Sequence, residues 1–404
     1  MELRPGYKQT EVAVIPEEWG VEALGNIFDF SGGHSASWDQ LTTAGYCYLH
    51  YGDIHGSTKT FIDVQADYLD IPKLNIPLER VNQGSILADG DVVFVDASED
   101  DEGTSRHIVV VNDTAIPYIS GLHTIVAKSK TQALDNGYKR YCFQSHDIKR
   151  QFLFYAVGTK VSGINKTNIK KIFIPVPPLP EQRAIAGALG DVDALLAALE
   201  RVIAKKRDLK KATMQQLLTG QTRLPGFSGE WEVKRLGEIA FLYQPETISA
   251  KQFTESGYPV YGANGVVGFY REFNHDNWQV TVTCRGSTCG TVNRTVDQCW
   301  ITGNAMVVNC DHREDVDKNF LYYLLLSQDL SICITGTGQP QIVRRPLADF
   351  SINFPANKIE QTAIAAVLSD MDDELAALEA RLSKTRDLKH GMMQELLTGR
   401  TRLI

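Results

Sequence analysis

The sequence lacks the short motifs by which many enzymes hold nucleotides and cofactors. It has no Gly-x-x-x-x-Gly-Lys-Ser/Thr loop for a nucleoside triphosphate and no Gly-x-Gly-x-x-Gly that opens a helix after a strand. The Asn/Asp-Pro-Pro-Tyr/Phe tetrapeptide with which amino-methyltransferases hold a flipped base is also absent. His34, His50, His55, His107 and His123 have no partner motif, so we interpret them as structural or surface groups. A catalytic function is therefore the weaker interpretation.

Long apolar runs and paired cysteines are missing as well. No uninterrupted apolar run could span a bilayer, and the first residues lack the apolar core of a signal peptide. The seven cysteines form an odd set without a Cys-x-x-Cys pair, which is typical of buried thiols in a reducing compartment. We therefore expect a cytoplasmic protein. A zinc site of Cys284, Cys289, Cys299 and Cys310 stays open as an alternative, although the spacing is irregular.

Positive charge is in short supply, because 41 Lys and Arg residues face 49 Asp and Glu residues, giving a net charge of −8. A nucleic-acid binder needs basic residues grouped on one face, and the net charge does not report their distribution. Basic pairs do occur at Lys139-Arg140, Lys149-Arg150, Lys170-Lys171 and Arg344-Arg345. Each pair taken alone is more typical of solvated surface than of a phosphate site.

One long stretch of the sequence occurs twice. Residues 181–224 and 360–403 align without a gap, and well over half of the paired positions are identical. In both copies apolar residues recur at alternating steps of four and three, which indicates a helix packed lengthwise against another helix. The predicted helix-pairing residues are Ile185, Leu189, Val192, Leu196, Leu199, Ile203, Ile364, Leu368, Met371, Leu375, Leu378 and Leu382.

These helices are predicted to be too long for the core of one compact domain. A helix over residues 181–218 would be about 57 Å long at about 1.5 Å per residue. Gly220 and Gly399 follow the repeated Leu-Leu-Thr and are predicted to end the helices in the left-handed conformation. Two helices that merely pack onto their own domains remain the alternative. The repeat of polar residues, such as Arg-Asp-Leu-Lys at 207–210 and 386–389, argues against it.

Two globular regions of different sequence precede the two helices. The first, residues 1–175 with an N-terminal arm, alternates β-branched and aromatic runs with polar turns, and it has a predicted helix over 139–157. The second repeats this order with other residues, after a linker that follows Gly220. We predict an α+β fold with the boundaries 1–175 for the first globular region, 176–220 for the first helix, 221–355 for the linker and second globular region, and 356–404 for the second helix.

The loops of both globular regions carry side chains suited to nucleic acid. Arg can bond bidentately to guanine, Asn and Gln to adenine, and Ser and Thr hydroxyls approach phosphates closely. Any one of these residues alone is more typical of a capped turn or polar surface, but the set indicates a binding surface. The candidate DNA-binding residues are Lys160, Asn165, Lys166, Asn264, Arg285, Ser287, Thr288, Asn304, Thr337, Gln339, Gln341 and Arg344.

Taken together, these features resemble the DNA specificity (S) subunits of type I restriction–modification systems over essentially the whole chain. The resemblance is carried by the two repeated helical stretches, by Ile15-Pro16-Glu17-Glu18-Trp19, and by runs in the second globular region that include 258–270, 283–293, 300–308 and 336–342. It implies two target recognition domains separated by two long helices that form an antiparallel coiled coil, in a pseudo-twofold circular arrangement.

The resemblance also implies a non-catalytic subunit that recognises a bipartite DNA target, two short half-sites with an unspecified spacer. Two methyltransferase (M) subunits would methylate adenine at N6 with S-adenosylmethionine, and restriction (R) subunits, where present, would use ATP and magnesium. No cofactor is expected in this chain. The run at 158–163 departs from its counterpart at 336–340, so the two domains should read different half-sites. A coiled-coil scaffold with two protein-binding domains, or a self-contained DNA methyltransferase or nuclease, remains an alternative.

Overall fold

The computed structural model describes residues 4–55, 57, 59–98, 105–157, 162–335 and 340–403. The chain forms two compact units, Met1–Ala198 with Leu382–Ile404, and Leu199–Arg381. Each compact unit contains one globular region and a portion of both repeated helices, and each mixes helix with sheet as the α+β prediction requires. The domain boundaries drawn from the sequence stay a prediction. In the described part of the chain, no helix is long and apolar enough to cross a membrane.

The first compact unit is built on short strands. Its strands are β1 (Tyr7–Gln9), β2 (Val14–Pro16), β3 (Gly20–Ala23), β4 (Phe28–Gly32), β5 (Leu41–Thr42), β6 (Tyr46–Leu49), β7 (Phe61–Asp63), β8 (Lys73–Leu74), β9 (Val92–Val95), β10 (Ala97–Ser98), β11 (His107–Val111), β12 (Tyr118–Ser120), β13 (Thr124–Ser129), β14 (Ser162–Gly163) and β15 (Phe173–Val176). Its helices are α1 (Leu24–Ile27), α2 (Tyr51–His55), α3 (Asn136–Cys142), α4 (His146–Tyr155), α5 (Lys166–Ile169) and the first part of α6 (Leu179–Leu217).

A five-stranded sheet of order β4-β13-β9-β11-β7 forms the centre of this unit, and only β7 runs parallel to its neighbour. The four residues of β9 are all buried, because both faces of the sheet are covered. Val92 and Phe94 pack with Phe143 and Phe152 on one face, while Val93 belongs to a second cluster on the other. A continuous apolar strand is the expected result of burial on both faces.

The single helix predicted over 139–157 is wrong, because the chain forms two helices there, α3 and α4. Helix α3 ends at Cys142, and Phe143 turns into the core, where it is fully buried. Ser145 then takes an extended conformation and precedes the first residue of α4. Serine is a preferred residue directly before the first residue of a helix. The regular spacing of aromatic residues across 139–157 suggested one continuous helix instead.

The second compact unit repeats this plan. Its strands are β16 (Glu232–Arg235), β17 (Phe241–Tyr243), β18 (Tyr258–Gly262), β19 (Gly265–Tyr270), β20 (Val280–Thr283), β21 (Val292–Arg294), β22 (Trp300–Ile301), β23 (Ala305–Asn309), β24 (Ile334–Thr335), β25 (Gln341–Ile342) and β26 (Ser351–Phe354). Its helices are α7 (Leu236–Ile239), α8 (Lys318–Leu326), α9 (Arg344–Ala348) and the first part of α10 (Lys358–Leu396). The antiparallel sheet β17-β23-β20-β21 matches β4-β13-β9-β11 strand for strand in chain order.

Helices α6 and α10 each contain 39 residues, or about 58 Å at about 1.5 Å per residue. In the second compact unit they are antiparallel, since Lys206 pairs with Glu374 at 2.7 Å and Lys210 pairs with Asp372. In the first compact unit, Asp193 pairs with Lys389 at 2.6 Å. Leu189, which precedes Asp193, packs in one cluster with Leu396, which follows Lys389, so the helices are antiparallel here too. All twelve predicted helix-pairing residues are buried or half-buried. Gly220 and Gly399, with φ of 72° and 69°, confirm the predicted left-handed helix ends.

A buried carboxylate lies near the start of each long helix and binds an arginine that follows the end of the other. Glu181 has no exposed surface and accepts hydrogen bonds from Arg402 at 2.5 Å and from the Trp19 indole at 2.8 Å. Glu360, which is 1% exposed, accepts two hydrogen bonds from Arg223 at 2.5 and 2.7 Å. A buried carboxylate is stable only with such partners.

The next residue in each helix is a buried glutamine that joins the helix to its globular region. Gln182 accepts a hydrogen bond from the Asp135 backbone at 2.8 Å and donates to the carbonyls of Ala133 and Pro177. Gln361 makes the same three kinds of bond, to Asp317, Asp315 and Pro355. Both N–H donors of each amide and one lone pair of its oxygen are thereby used in a buried environment, which favours one orientation of the side chain.

A third connection joins a tyrosine of the globular region to an aspartate of one long helix and a lysine of the other. Each tyrosine hydroxyl donates to its aspartate at 2.7 Å, and the lysine ammonium bonds the second carboxylate oxygen. Burial and the aspartate both raise the pKa of the tyrosines, which keeps the hydroxyl a donor. The two sets, called here the tyrosine triads, are Tyr141, Asp193 and Lys389, and Tyr323, Asp372 and Lys210.

Replacing Arg402 by Met should strongly destabilise the protein, because Glu181 would remain buried without its charged partner. Removal of one member of a buried pair costs about 3 to 5 kcal/mol, and we expect a loss toward the lower end because the Arg402 side chain is 25% exposed. The measurement is urea denaturation followed by circular dichroism. Arg400→Met is the matched control, since Arg400 is 66% exposed and lies 3.9 Å from Glu395; an equal loss in both variants would contradict the prediction.

His107 makes the stability of the first compact unit dependent on pH. Its ring packs between Phe94 and Phe143, with centroids at 5.5 and 4.9 Å, and burial lowers its pKa to about 4. In the unfolded chain a histidine titrates near pH 6.5, so between about pH 6.5 and 4 only the unfolded chain takes up the proton. The free energy of unfolding should therefore fall by roughly 3 kcal/mol as the pH is lowered through this interval.

The variant His107→Gln should lose most of this pH dependence, because it removes the titrating group. Urea midpoints measured between pH 7 and pH 4 would show a shallower slope for this variant than for the wild type. His390→Gln is the control, since His390 lies exposed on α10 and bonds Gln394 at 2.9 Å. If His107→Gln and the wild type had parallel slopes, His107 would not be the source of the acid sensitivity.

Candidate nucleic-acid interface

Candidate DNA-binding residues of the second globular region meet at one edge of its sheet. Strand β20 ends at this edge and β23 begins there, so the loops after β20 and before β23 are neighbours. The backbone N–H of Cys284 donates to the Asn304 carbonyl at 3.0 Å, and Arg285 forms a β-bridge with Gln341. Arg285 and Asn304 are exposed. The structure thus brings together Arg285, Asn304 and Gln341, which lie on three separate segments of the chain.

Asn264 and Thr288 extend the same edge. The Thr288 hydroxyl donates to the side-chain oxygen of Asn264 at 2.6 Å, which fixes the amide and leaves its nitrogen as the donor group. Asn264 lies in the β18–β19 hairpin, where Gly265 has a φ of 111° that the tight turn requires. Ser287 is exposed in the loop after Arg285.

Arg344 begins α9 two residues beyond β25 and is exposed. Its guanidinium carbon lies 5.2 Å from the ring centroid of Phe241, a cation–π contact that orients the side chain without using its hydrogen-bond donors. Arg344 therefore retains the five donors that suit phosphate or guanine.

The corresponding edge of the first globular region contains Asn165 and Lys166. The Ile164 backbone donates to the Asp96 carbonyl at 2.8 Å, just as Ile342 donates to Cys284 at 3.0 Å, so Lys166 occupies the place of Arg344. The side-chain oxygen of Asn165 accepts from the first backbone N–H groups of α5 at 2.9 and 3.0 Å. Asn165 therefore caps a helix, which is the non-DNA-binding role that the sequence analysis left open for such a residue. Lys160, Thr337 and Gln339 lie outside the described residues.

The pair Lys139-Arg140 is not the solvated surface that the sequence suggested. Lys139 is 3% exposed and donates to the carbonyl of Gly90 at 2.9 Å and to the Ser129 hydroxyl at 2.9 Å. Burial lowers the pKa of Lys139. The Arg140 guanidinium carbon lies 3.9 Å from the centroid of the Phe61 ring. Both cations thus hold elements of the globular region together.

Sequence reasoning missed a group of rings at the edge of the first globular region. Trp38 lies 4.4 Å from His50 between ring centroids, His50 lies 4.8 Å from Tyr51, and Tyr51 lies 5.7 Å from His123. Trp38 is 63% exposed and Tyr51 is 37% exposed. These four residues, called here the aromatic ledge, come from three distant segments, so no local pattern signalled them. His50 and His123, interpreted from the sequence as structural or surface groups, both lie in this group of rings.

Comparison with known families identifies the class of protein. A family model described as the type I restriction modification DNA specificity domain matches residues 16–207 and 228–385. The chain belongs to this family. It is a DNA-recognition subunit without a catalytic role of its own, because the members of this family are non-catalytic specificity subunits. The family resemblance predicted from the sequence is confirmed. Among the residues described, no cluster of three or more His, Cys, Asp or Glu could hold a metal ion.

One relative and one solved structure match nearly the whole chain, and a second relative matches more than half of it. The type I restriction enzyme MjaVIII specificity subunit of Methanocaldococcus jannaschii is 24% identical over 98% of this chain and 96% of its own length. The EcoprrI specificity subunit of Escherichia coli is 25% identical over 57% of this chain and 59% of its own. The crystal structure of the type I restriction–modification S subunit from M. genitalium has 16% identity and a TM-score of 0.61, covering 98% of both chains. That similarity confirms the fold.

Arg285→Ala should weaken specific DNA binding, because Arg285 is the exposed arginine at the centre of the described edge. Loss of a bidentate contact to a base costs about 1 to 3 kcal/mol, which is a loss of affinity of roughly five- to 150-fold. The measurement is the affinity of the protein, together with its partner subunits, for DNA that contains its recognition sequence and for an unrelated duplex. Arg271→Ala is the control, since Arg271 is 73% exposed and pairs with Glu272. Equal losses for Arg285→Ala and Arg271→Ala would contradict the assignment.

Proposed function

We propose that this specificity subunit recognises a bipartite DNA target, with one half-site read by each globular region. One observation carries the proposal: the same sheet edge occurs twice, and it presents different side chains each time. Arg285 follows β20 at the position that Ala97 occupies after β9, and Asn304 precedes β23 as His123 precedes β13. A repeated scaffold with divergent contact residues suits two different short sequences joined by an unspecified spacer.

In this proposal, the repeated helices are the constant part. Gln182 and the tyrosine triad of the first compact unit have counterparts with the same kinds of bond in the second, so each globular region joins the helices in the same way. A joint that is repeated in this way suits two like partners. Two methyltransferase subunits bind the chain for this reason, and the helices set the spacing of the half-sites. With both domains on one face of the duplex, the half-site centres lie about 10 base pairs apart.

The chemistry belongs to the partners in this proposal. The methyltransferase subunits bind S-adenosylmethionine and methylate adenine at N6, and a restriction subunit, where one is present, uses ATP and magnesium. The net charge of −8 supports a shared DNA channel, because basic surface that this chain lacks in bulk would come from the partners.

The experiment is to express the chain with its methyltransferase subunit and to map methylated adenines across a genome. We expect one bipartite motif. Exchange of residues 1–175 for those of a relative should change one half of the motif, and exchange of residues 231–355 should change the other, with the spacer length kept. A continuous motif, or a change in both halves after either exchange, would refute the proposal. Absence of any DNA sequence preference would favour a protein-binding scaffold.

A further inference from the structure

We infer that the first globular region reads its half-site with the aromatic ledge, and that Trp38 contacts the methyl group of a thymine in the major groove. The inference rests on the proposed function and assigns DNA-contacting residues to the domain in which Ala97 occupies the position of Arg285. The ledge consists of Trp38, His50, Tyr51 and His123.

The ledge occupies the place that base-reading residues occupy in the second globular region. His123 is the last residue before β13, as Asn304 is the last before β23. The backbone N–H that follows β9, that of Asp96, donates to the His123 carbonyl at 3.2 Å. The backbone N–H that follows β20, that of Cys284, donates to the Asn304 carbonyl at 3.0 Å. His123 and Asn304 are thus structurally equivalent, and the surface around His123 is the counterpart of the edge with Arg285.

The three loops that carry the ledge are fixed to one another. Tyr48 donates its hydroxyl to the His34 carbonyl at 2.8 Å and accepts the Leu122 backbone N–H at 3.2 Å. Gly33 and Gly121 permit this close packing, since a Cβ at Gly33 would lie 1.6 Å from the Gly121 carbonyl oxygen and a Cβ at Gly121 would lie 2.4 Å from that of Leu49. A surface held this firmly loses little further freedom on binding, which favours affinity.

The exposed groups of the ledge suit the edges of base pairs. The Nδ1 atom of His50 accepts the Gly52 backbone N–H at 3.1 Å, so in the neutral ring the proton is on Nε2, which is a donor. Of the neighbouring carboxylates, Asp53 accepts the His50 backbone N–H at 3.0 Å and Asp96 lies 3.4 Å from His123, while Asp39 next to Trp38 is exposed. Trp38 adds a large exposed apolar face. Apolar contact with the C5-methyl group is one of the two ways in which proteins recognise thymine in the major groove, the other being a hydrogen bond to O4.

A non-specific role for the exposed rings is less well supported than DNA contact. Lys166 begins α5 near the end of β4, since its ammonium nitrogen would lie 3.8 Å from a Cβ placed on Gly32. Two residues before it, Ile164 donates its backbone N–H to the carbonyl of Asp96, whose carboxylate lies 3.4 Å from His123. A cation at this position can bind the phosphate backbone next to the base contacts. The ledge and Lys166 therefore form a combined surface of apolar contact, hydrogen-bond donors and positive charge, which matches duplex DNA.

The test uses the complete complex with the methyltransferase subunit and the mapped target duplex. Trp38→Ala should lower affinity for the target about tenfold, with base preference relaxed at one position of the first half-site and the second half-site unchanged. Deoxyuridine in place of thymine at that position should weaken wild-type binding and leave Trp38→Ala binding unaffected. Trp38→Phe should restore part of the affinity.

Leu69→Ala is the matched control, because Leu69 is 94% exposed and lies in the segment between β7 and β8, outside the ledge. It should bind and methylate as the wild type does. The inference about the aromatic ledge is refuted if Trp38→Ala and Leu69→Ala bind the target equally well, or if Trp38→Ala relaxes base preference in both half-sites alike. It is also refuted if the first half-site contains G·C pairs only. A wild-type complex without a bipartite motif overturns the proposed function and the ledge with it, whereas a bipartite motif whose first half tolerates Trp38→Ala overturns the ledge alone.

Discussion

Each compact unit depends on a carboxylate that has almost no contact with solvent. Glu181 and Glu360 would be costly to bury alone, and each is stabilised by an arginine that arrives from the far end of the other long helix. The position of the arginine is fixed only when the two helices are antiparallel and in register. The ion pair therefore links helix pairing to the start of each helix, where the adjoining glutamine fixes the globular region. Apolar packing alone would tolerate sliding by one heptad.

The two ends are similar but not identical. Glu181 also accepts the Trp19 indole N–H, whereas the indole N–H of Trp231 is buried without a hydrogen-bond partner among the described atoms, and Arg223 lies over the Trp231 ring at 5.8 Å. In the first compact unit, Tyr7 also donates to the Gly399 carbonyl at 2.8 Å. The polar joints are shared, and the first unit has two further bonds, from Trp19 and from Tyr7.

Much of this could be predicted from the sequence, for clear physical reasons. The alternating apolar step revealed α6 and α10, and Gly220 and Gly399 marked their ends, because both signals are local. The repeat of Arg-Asp-Leu-Lys indicated that polar residues were constrained, and the structure supplies the cause, since Lys210 and Lys389 are its lysines. Their partners could not be identified, because Tyr141 and Tyr323 lie on helices far away in sequence. The aromatic ledge escaped for the same reason, while Asn165 showed how a residue suited to bases can instead cap a helix.

The tyrosine triads have a consequence for how the protein unfolds. The aspartate of each triad holds a tyrosine of the globular region on one oxygen and a lysine of the opposite helix on the other, so neither bond is independent of the helix pair. If the helices separate, the carboxylate loses its lysine and the tyrosine loses a fixed acceptor. Globular region and helix pair therefore melt as one cooperative block within each compact unit. Both long helices contribute residues to both cooperative blocks, so separation of the helices would also disrupt the packing of the globular regions against them.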